Sequence, residues 1–169
     1  MKKLQVNAVF VISVLFSSTL LALSSDREQP IEMEADQLEV NDKTRISRYS
    51  GNVTMTQGSI RFEGDSIEVK FDPAQNLQSL EINGAPARFR QLTDQQQLID
   101  ASALKFNYFA NTAVLELRGN AVLKSGTDTI ESEFITINTD TNEVTAGDQK
   151  TDSRVRMVIQ PNTSSTTNE

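Results

Sequence analysis

Carboxylates dominate the chemistry-bearing residues of this chain, whose 169 residues include 23 Asp and Glu but no His and no Cys. Without His, the Ser-His-Asp and Cys-His nucleophile systems and His-based zinc sites are impossible. Two carboxylates alone can run glycoside hydrolysis. However, Glu131 and Glu133 alternate with Ile130 and Ser132 and read as the solvated face of a strand, not as a catalytic pair. A sugar cleft would also draw on aromatic side chains, and Trp is absent. The expectation is a protein that is not an enzyme and uses no metal and no cofactor. A formal charge of −7 also argues against nucleic acid as a partner, because phosphates need Lys and Arg to neutralise them.

The elements that would position these residues are strands. Ile31, Met33 and Ala35 alternate with Glu32 and Glu34, which gives one greasy and one wet face. Asp36-Gln37 breaks the phase, and Leu38 and Val40 resume it, as a β-bulge would require. The same two-residue rhythm returns at Val53 and Met55, Ile60 and Phe62, and Ile67, Val69 and Phe71. Further along it marks Leu80 and Ile82, Arg88-Phe89-Arg90, Phe106 and Tyr108, Leu115 and Leu117, Ile135 and Ile137, and a last strand over Arg154–Ile159. Turn residues separate these runs at Asn41-Asp42-Lys43, Gln57-Gly58-Ser59 and Asp72-Pro73, with a loop over Thr93–Gln97. Asn83-Gly84 carries a tight hairpin signal. Regular short strands between turns mean an all-β sandwich, barrel or jelly roll.

The N-terminus reads as an export leader. Lys2 and Lys3 precede an apolar run from Ala8 to Ala22, and Ala22-Leu23-Ser24 places small residues where a signal peptidase needs them. An uncleaved anchor is the other reading of this segment. Without Cys there is no lipidation site. The expected organisation is a signal peptide over 1–24, one domain over 25–161 with a mobile leader at 25–30, and a disordered tail over 162–169. Beyond the leader no apolar run is long enough to span a bilayer, so the exported chain should be soluble.

An internal repeat is the most informative feature. Displaced by 68 positions, the chain partly matches itself: Ile31 falls on Ile99, Leu38 on Phe106, Val40 on Tyr108, Gly51-Asn52-Val53 on Gly119-Asn120-Ala121, Gly58 on Gly126, and Ile67 and Val69 on Ile135 and Ile137. Repeated β units that cannot bury an apolar face alone must stack. Gly51 and Gly119 would then allow positive φ at equivalent bends. The first strand, near Ile31–Val40, and the last, near Arg154–Gln160, would form open edges. Glu32 and Glu34 on one edge and Arg154 and Arg156 on the other are opposite in sign. They fit head-to-tail pairing of copies, and equally plain solubilising charge.

Pro30-Ile31 with its acidic strand, Tyr49-Ser50-Gly51-Asn52-Val53 running on to Gln57-Gly58, Gly64-Asp65, and Gly119-Asn120-Ala121 together resemble the OstA-like family over about Pro30 to Pro161. The resemblance implies an elongated, open, twisted β-jelly roll built from repeated antiparallel strand units. It implies a periplasmic protein that binds the lipid A acyl chains of lipopolysaccharide in a hydrophobic groove. It also implies copies joined head to tail, an inner-membrane transport complex at the N-terminal edge, and an outer-membrane translocon at the C-terminal edge. The groove would be lined by Ile31, Met33, Leu38, Val40, Val53, Met55, Ile60, Phe62, Ile67, Val69, Phe89, Phe106, Tyr108, Leu115, Leu117, Ile135, Ile137 and Met157. The partner edges would be Ile31, Glu32, Met33 and Glu34, and Arg154, Val155, Arg156 and Met157. Taken singly, each greasy residue reads better as ordinary sandwich core, and only the resemblance turns the list toward a ligand. A polymerising scaffold with a closed core and no lipid therefore stays open as the alternative.

Overall fold

The period-2 alternation is realised as antiparallel strands that follow one another through the chain. The computed structural model describes residues 26, 28–93, 96–141, 143–147 and 154–159; the leader over 1–24 and the tail over 162–169 lie outside them. In chain order the strands are β1 (Glu32–Glu34), β2 (Gln37–Asn41), β3 (Ile46–Gln57), β4 (Ile60–Phe71), β5 (Leu77–Leu92), β6 (Leu98–Phe109), β7 (Val114–Ser125), β8 (Asp128–Asn138), β9 (Val144–Ala146) and β10 (Arg156–Val158). They form one sheet in the order β1-β3-β4-β5-β6-β7-β8-β10. β2 pairs with β3 beyond β1, and β9 pairs with β8. The architecture is the elongated, open, twisted β-jelly roll that the resemblance implied.

The long strands share one irregularity. β3 to β8 pair with register shifts between Ser50 and Val53, Glu63 and Ser66, Asn83 and Ala87, Ser102 and Lys105, and Arg118 and Ala121. A line of bulges thus crosses the sheet at mid-strand, and each bulge bends its strand. Gly51 and Gly119 sit on this line at φ 78° and 80°, each followed by a left-handed Asn. The two Gly-Asn pairs therefore do equivalent work, as the repeat requires. The break at Asp36 belongs to the same line: its N–H donates to the Gly51 carbonyl at 3.0 Å, and Asn52 Nδ2 donates to its carboxylate at 2.9 Å.

The bend folds the sheet onto itself. On one side of the line the inward rungs run Leu38, Tyr49, Ile67, Ile82, Phe106, Leu117, Ile135, Ala146. On the other they run Met33, Met55, Phe62, Phe89, Ala101, Leu123, Ile130, Met157. Phe62 and Phe106, from opposite sides, meet edge to face with ring centroids 5.8 Å apart, so the two layers pack on one core.

Three expectations need correction. Asn83-Gly84 is not a hairpin, since β5 runs straight through it. A Cβ on Gly84 would lie 2.6 Å from the Ala87 nitrogen, so glycine here serves close backbone approach inside a bulge. The segment 25–30 is not free where it is described. Ser59 donates to the Asp26 carboxylate from its N–H at 2.9 Å and its hydroxyl at 2.6 Å, and Gln57 Nε2 donates to the Gln29 carbonyl at 3.1 Å. The last strand pairs only over Arg156–Val158, not from Arg154.

Candidate functional site

The bulge line and the alternation together send one set of side chains into the interior, and that set is apolar. Among the described residues the only buried polar ones are Asp26 and Ser132. No three metal-ligating side chains come together among the described residues. Glu131 is taken up by an ion pair with Arg156 at 3.0 Å, and Glu133 is exposed on β8 opposite the bulge of β7. The charged groups instead decorate the outer face in pairs, such as Arg48–Glu68 at 2.8 Å and Arg90–Asp100 at 2.9 Å. A concavity of about 400 Å³ on that face is lined by Arg88, Arg90, Leu98, Asp100, Lys124 and Gly126, and is too charged to hold a hydrocarbon chain.

The eighteen proposed groove residues separate into three groups. Val53, Met55, Phe62, Ile67, Val69, Phe89, Phe106, Leu115, Leu117 and Ile135 are buried in one contiguous core. Met33, Ile60, Tyr108 and Ile137 are half-buried and pack against its margin. Ile31, Leu38, Val40 and Met157 are exposed at the two edges of the sheet. In the isolated chain the middle of the supposed groove is thus closed by the contact of the two layers, and its apolar residues reach solvent at the ends.

Both edges expose greasy side chains. Ile31, Leu38 and Val40 lie on one, and Val144, Val155, Met157 and Ile159 on the other. Glu32 and Glu34 are exposed on the first edge, and Arg154 and Arg156 on the second.

Several interior residues escaped the sequence reading. Leu123 is the counterpart of Met55 under the repeat. Ala87, Ala101, Ala103 and Ala121 are core positions whose small side chains gave no hydropathy signal. Tyr49 and Ser47 interrupt the greasy pattern of β3, so Tyr49's place between Leu38 and Ile67 was hidden.

Comparison with known proteins adds to this geometry. A family model described as LptA/(LptD N-terminal domain) LPS transport protein matches residues 32–143. The chain is 35% identical over 156 residues to the lipopolysaccharide export system protein LptH of Pseudomonas aeruginosa, covering 88% of this chain and 89% of that one. It is 30% identical over 136 residues to the lipopolysaccharide export system protein LptA of Escherichia coli, with 79% and 74% covered. A crystal structure of LptH, described as the LptA-homologous periplasmic component of the lipopolysaccharide transport device of P. aeruginosa, superposes with a TM-score of 0.75. It is 33% identical, and the match covers 81% of this chain and 99% of that one.

Proposed function

The chain belongs to the LptA/(LptD N-terminal domain) family of lipopolysaccharide transport proteins, and from that premise we propose that it shields the acyl chains of lipopolysaccharide in the periplasm and carries them from the inner towards the outer membrane. The carrying observation is that rungs cross the interior from one open edge to the other without a carboxylate or a basic side chain among them. An acyl chain in water has nowhere else to go, since each CH₂ it buries is worth about 0.8 kcal/mol. The protein is itself acidic, so its grip on an anionic glycolipid rests on the tails and not on phosphate contacts.

The closed middle sets a condition on this reading. Parting the layers around three core side chains exposes surface worth about 1.5–3 kcal/mol apiece, or roughly 5–9 kcal/mol in all. Ten buried CH₂ groups offset about 8 kcal/mol of it. Lipid entry and layer opening therefore balance closely, and the half-buried margin at Met33, Tyr108 and Ile137 is where a tail would first lodge.

The remaining assignments follow the edges. The leader over 1–24 directs export and is removed. Copies join head to tail. The edge with Ile31, Glu32, Met33 and Glu34 receives lipid from the inner-membrane complex, and the edge with Arg154, Val155, Arg156 and Met157 passes it to the outer-membrane translocon. No covalent step is needed, and the driving energy comes from outside this chain.

A photo-reactive residue placed at Tyr108 or Phe106 in living cells tests the proposal. The expected product is a lipopolysaccharide adduct, absent when the same residue replaces the outward-facing Arg88. Adducts to protein alone at Tyr108 and Phe106 would overturn the transport reading in favour of a closed-core scaffold.

A further inference from the structure

We propose that the concavity on the outer face, lined by Arg88, Arg90, Leu98, Asp100, Lys124 and Gly126, binds a phosphorylated sugar. It lies on the wet side of the sheet, apart from the interior that would shield acyl chains, so it goes beyond the transport reading and does not rest on it.

The arginines of the outer face are otherwise balanced. Of those carried by strands, Arg48, Arg61, Arg90, Arg118 and Arg156 each hold a carboxylate within 3.0 Å. Arg88 is the exception among the described residues, and the registers show why. Its neighbour on β4 is Glu63, which Arg61 has taken at 2.8 Å, and its neighbour on β6 is the uncharged Ser102. Displaced by 68 positions, Glu63 and Arg88 become Glu131 and Arg156, which face each other in the same way and pair at 3.0 Å. The repeat thus shows what this rung does when its carboxylate is free, and Arg88 departs from it. Lys124 is likewise without an anionic partner among the described residues.

Strand geometry brings these cations together. Arg88 and Arg90 stand two residues apart on one face of β5, and Lys124 stands on β7 in the rung of Arg90 and Asp100. Between them β6 offers only the short Asp100 and Ser102, so long basic side chains wall a trough two strand spacings, about 9–10 Å, across. Arg90 engages Asp100 at 2.9 Å, which leaves three cations against one carboxylate in a chain whose formal charge is −7. That excess matches a phosphate monoester, which carries about −1.5 to −2 at neutral pH. The Arg88 fork can take two of its oxygens at once, and Lys124 a third. The volume of about 400 Å³ is in the range of small-ligand pockets and leaves room beyond a bare phosphate. A sugar fits the rest of the lining, with the half-exposed Leu98 against its C–H face and Asp100 as an acceptor for hydroxyls. Under the repeat Asp100 and Lys124 become Glu32 and Thr56, so the trough belongs to one unit and is not part of what holds the fold together.

The test is an NMR titration of the isotope-labelled chain, expressed with its leader and recovered from the periplasm. Glucose 1-phosphate should shift the amide signals of Arg88, Asp100, Ser102 and Lys124 together and saturate in the millimolar range, less tightly as salt is raised. Glucose should leave them in place. Arg88→Gln and Lys124→Gln should each weaken binding about tenfold, the loss of one charge-assisted contact, and Arg48→Gln should leave it unchanged. Circular dichroism verifies the fold of each variant. Shifts that do not saturate, that scatter over the outer face, or that persist unaltered in Arg88→Gln would overturn the site. Inorganic phosphate binding as tightly as glucose 1-phosphate would overturn the sugar. Deacylated lipopolysaccharide tells the two sources of such a group apart: binding at least about tenfold tighter than glucose 1-phosphate assigns the site to a glycolipid headgroup, and equal binding to a free sugar phosphate. A photo-reactive residue in place of Arg88 removes a cation of the site and so places no headgroup beside the probe. Failure of the site leaves the shielding of acyl chains standing, since the adduct from Tyr108 reads the interior.

Discussion

Phe106→Ala and Leu38→Ala truncate the same position of the two repeats, and the two chains should behave in opposite ways. Phe106 is fully buried, stands between Ile82 and Leu117 on neighbouring strands, and meets Phe62 across the layers at 5.8 Å. Its truncation removes the ring's transfer free energy and leaves a cavity, together about 3–5 kcal/mol. The edge-to-face contact contributes about 0.5–1.5 kcal/mol of this. Against a total stability of about 5–15 kcal/mol that is a large share. At roughly 2–4 °C per kcal/mol for a chain of this size, melting should fall by about 6–20 °C. Leu38 is 57% exposed, and its truncation should cost no more than about 0.5–1 kcal/mol in the monomer. Urea unfolding followed by far-ultraviolet circular dichroism, at a concentration that keeps the chain monomeric, measures both. Light scattering at higher concentration should then show weaker association for Leu38→Ala. Equal losses of stability in the two variants would refute the assignment of one residue to a closed core and the other to an uncovered edge.

Other perturbations probe the bulge line and the outer face. Gly119→Ala places a Cβ at φ 80° and 2.9 Å from Leu104 Cδ1, and should destabilise by about 1–2 kcal/mol or more in the same unfolding assay. The Glu81 carboxyl is held below the usual Glu range, chiefly by its hydrogen bond from Lys105, with Asn83 as a further donor. A depressed carboxyl stabilises the fold above the ordinary Glu value of about 4.3 and loses that contribution as pH falls from there through the lower folded value. Lys105→Met should therefore weaken the chain at neutral pH by no more than about 1 kcal/mol, because the pair is partly exposed. It should also flatten the acid limb of stability below about pH 4.5; an unchanged acid limb would show that the pair is not coupled to folding.

The fold class was legible because alternation is a local property that backbone geometry converts directly into a two-faced strand. Turns at Gln57-Gly58-Ser59 and Asp72-Pro73 were legible for the same local reason. Asn83-Gly84 misled because a tight turn and a bulge ask the same freedom of glycine. Only the pairing of β5 with both β4 and β6 distinguishes them. The mid-strand bulges also split long strands into short runs: Ile60-Phe62 and Ile67-Val69 read as separate units but belong to β4.

What the residues alone determined is an all-β chain of two similar units, with charged ends of opposite sign and with no His- or Cys-based chemistry. These follow from composition, period and repeat, none of which requires knowing what touches what. Whether a greasy residue is core or rim was decided by tertiary structure alone. Leu38 and Phe106 share a pattern and a repeat position, yet one lies open and the other sealed, because a strand covers the second and none among the described residues covers the first. Burial depends on the neighbour that the sheet supplies, and a strand's own sequence does not name its neighbour.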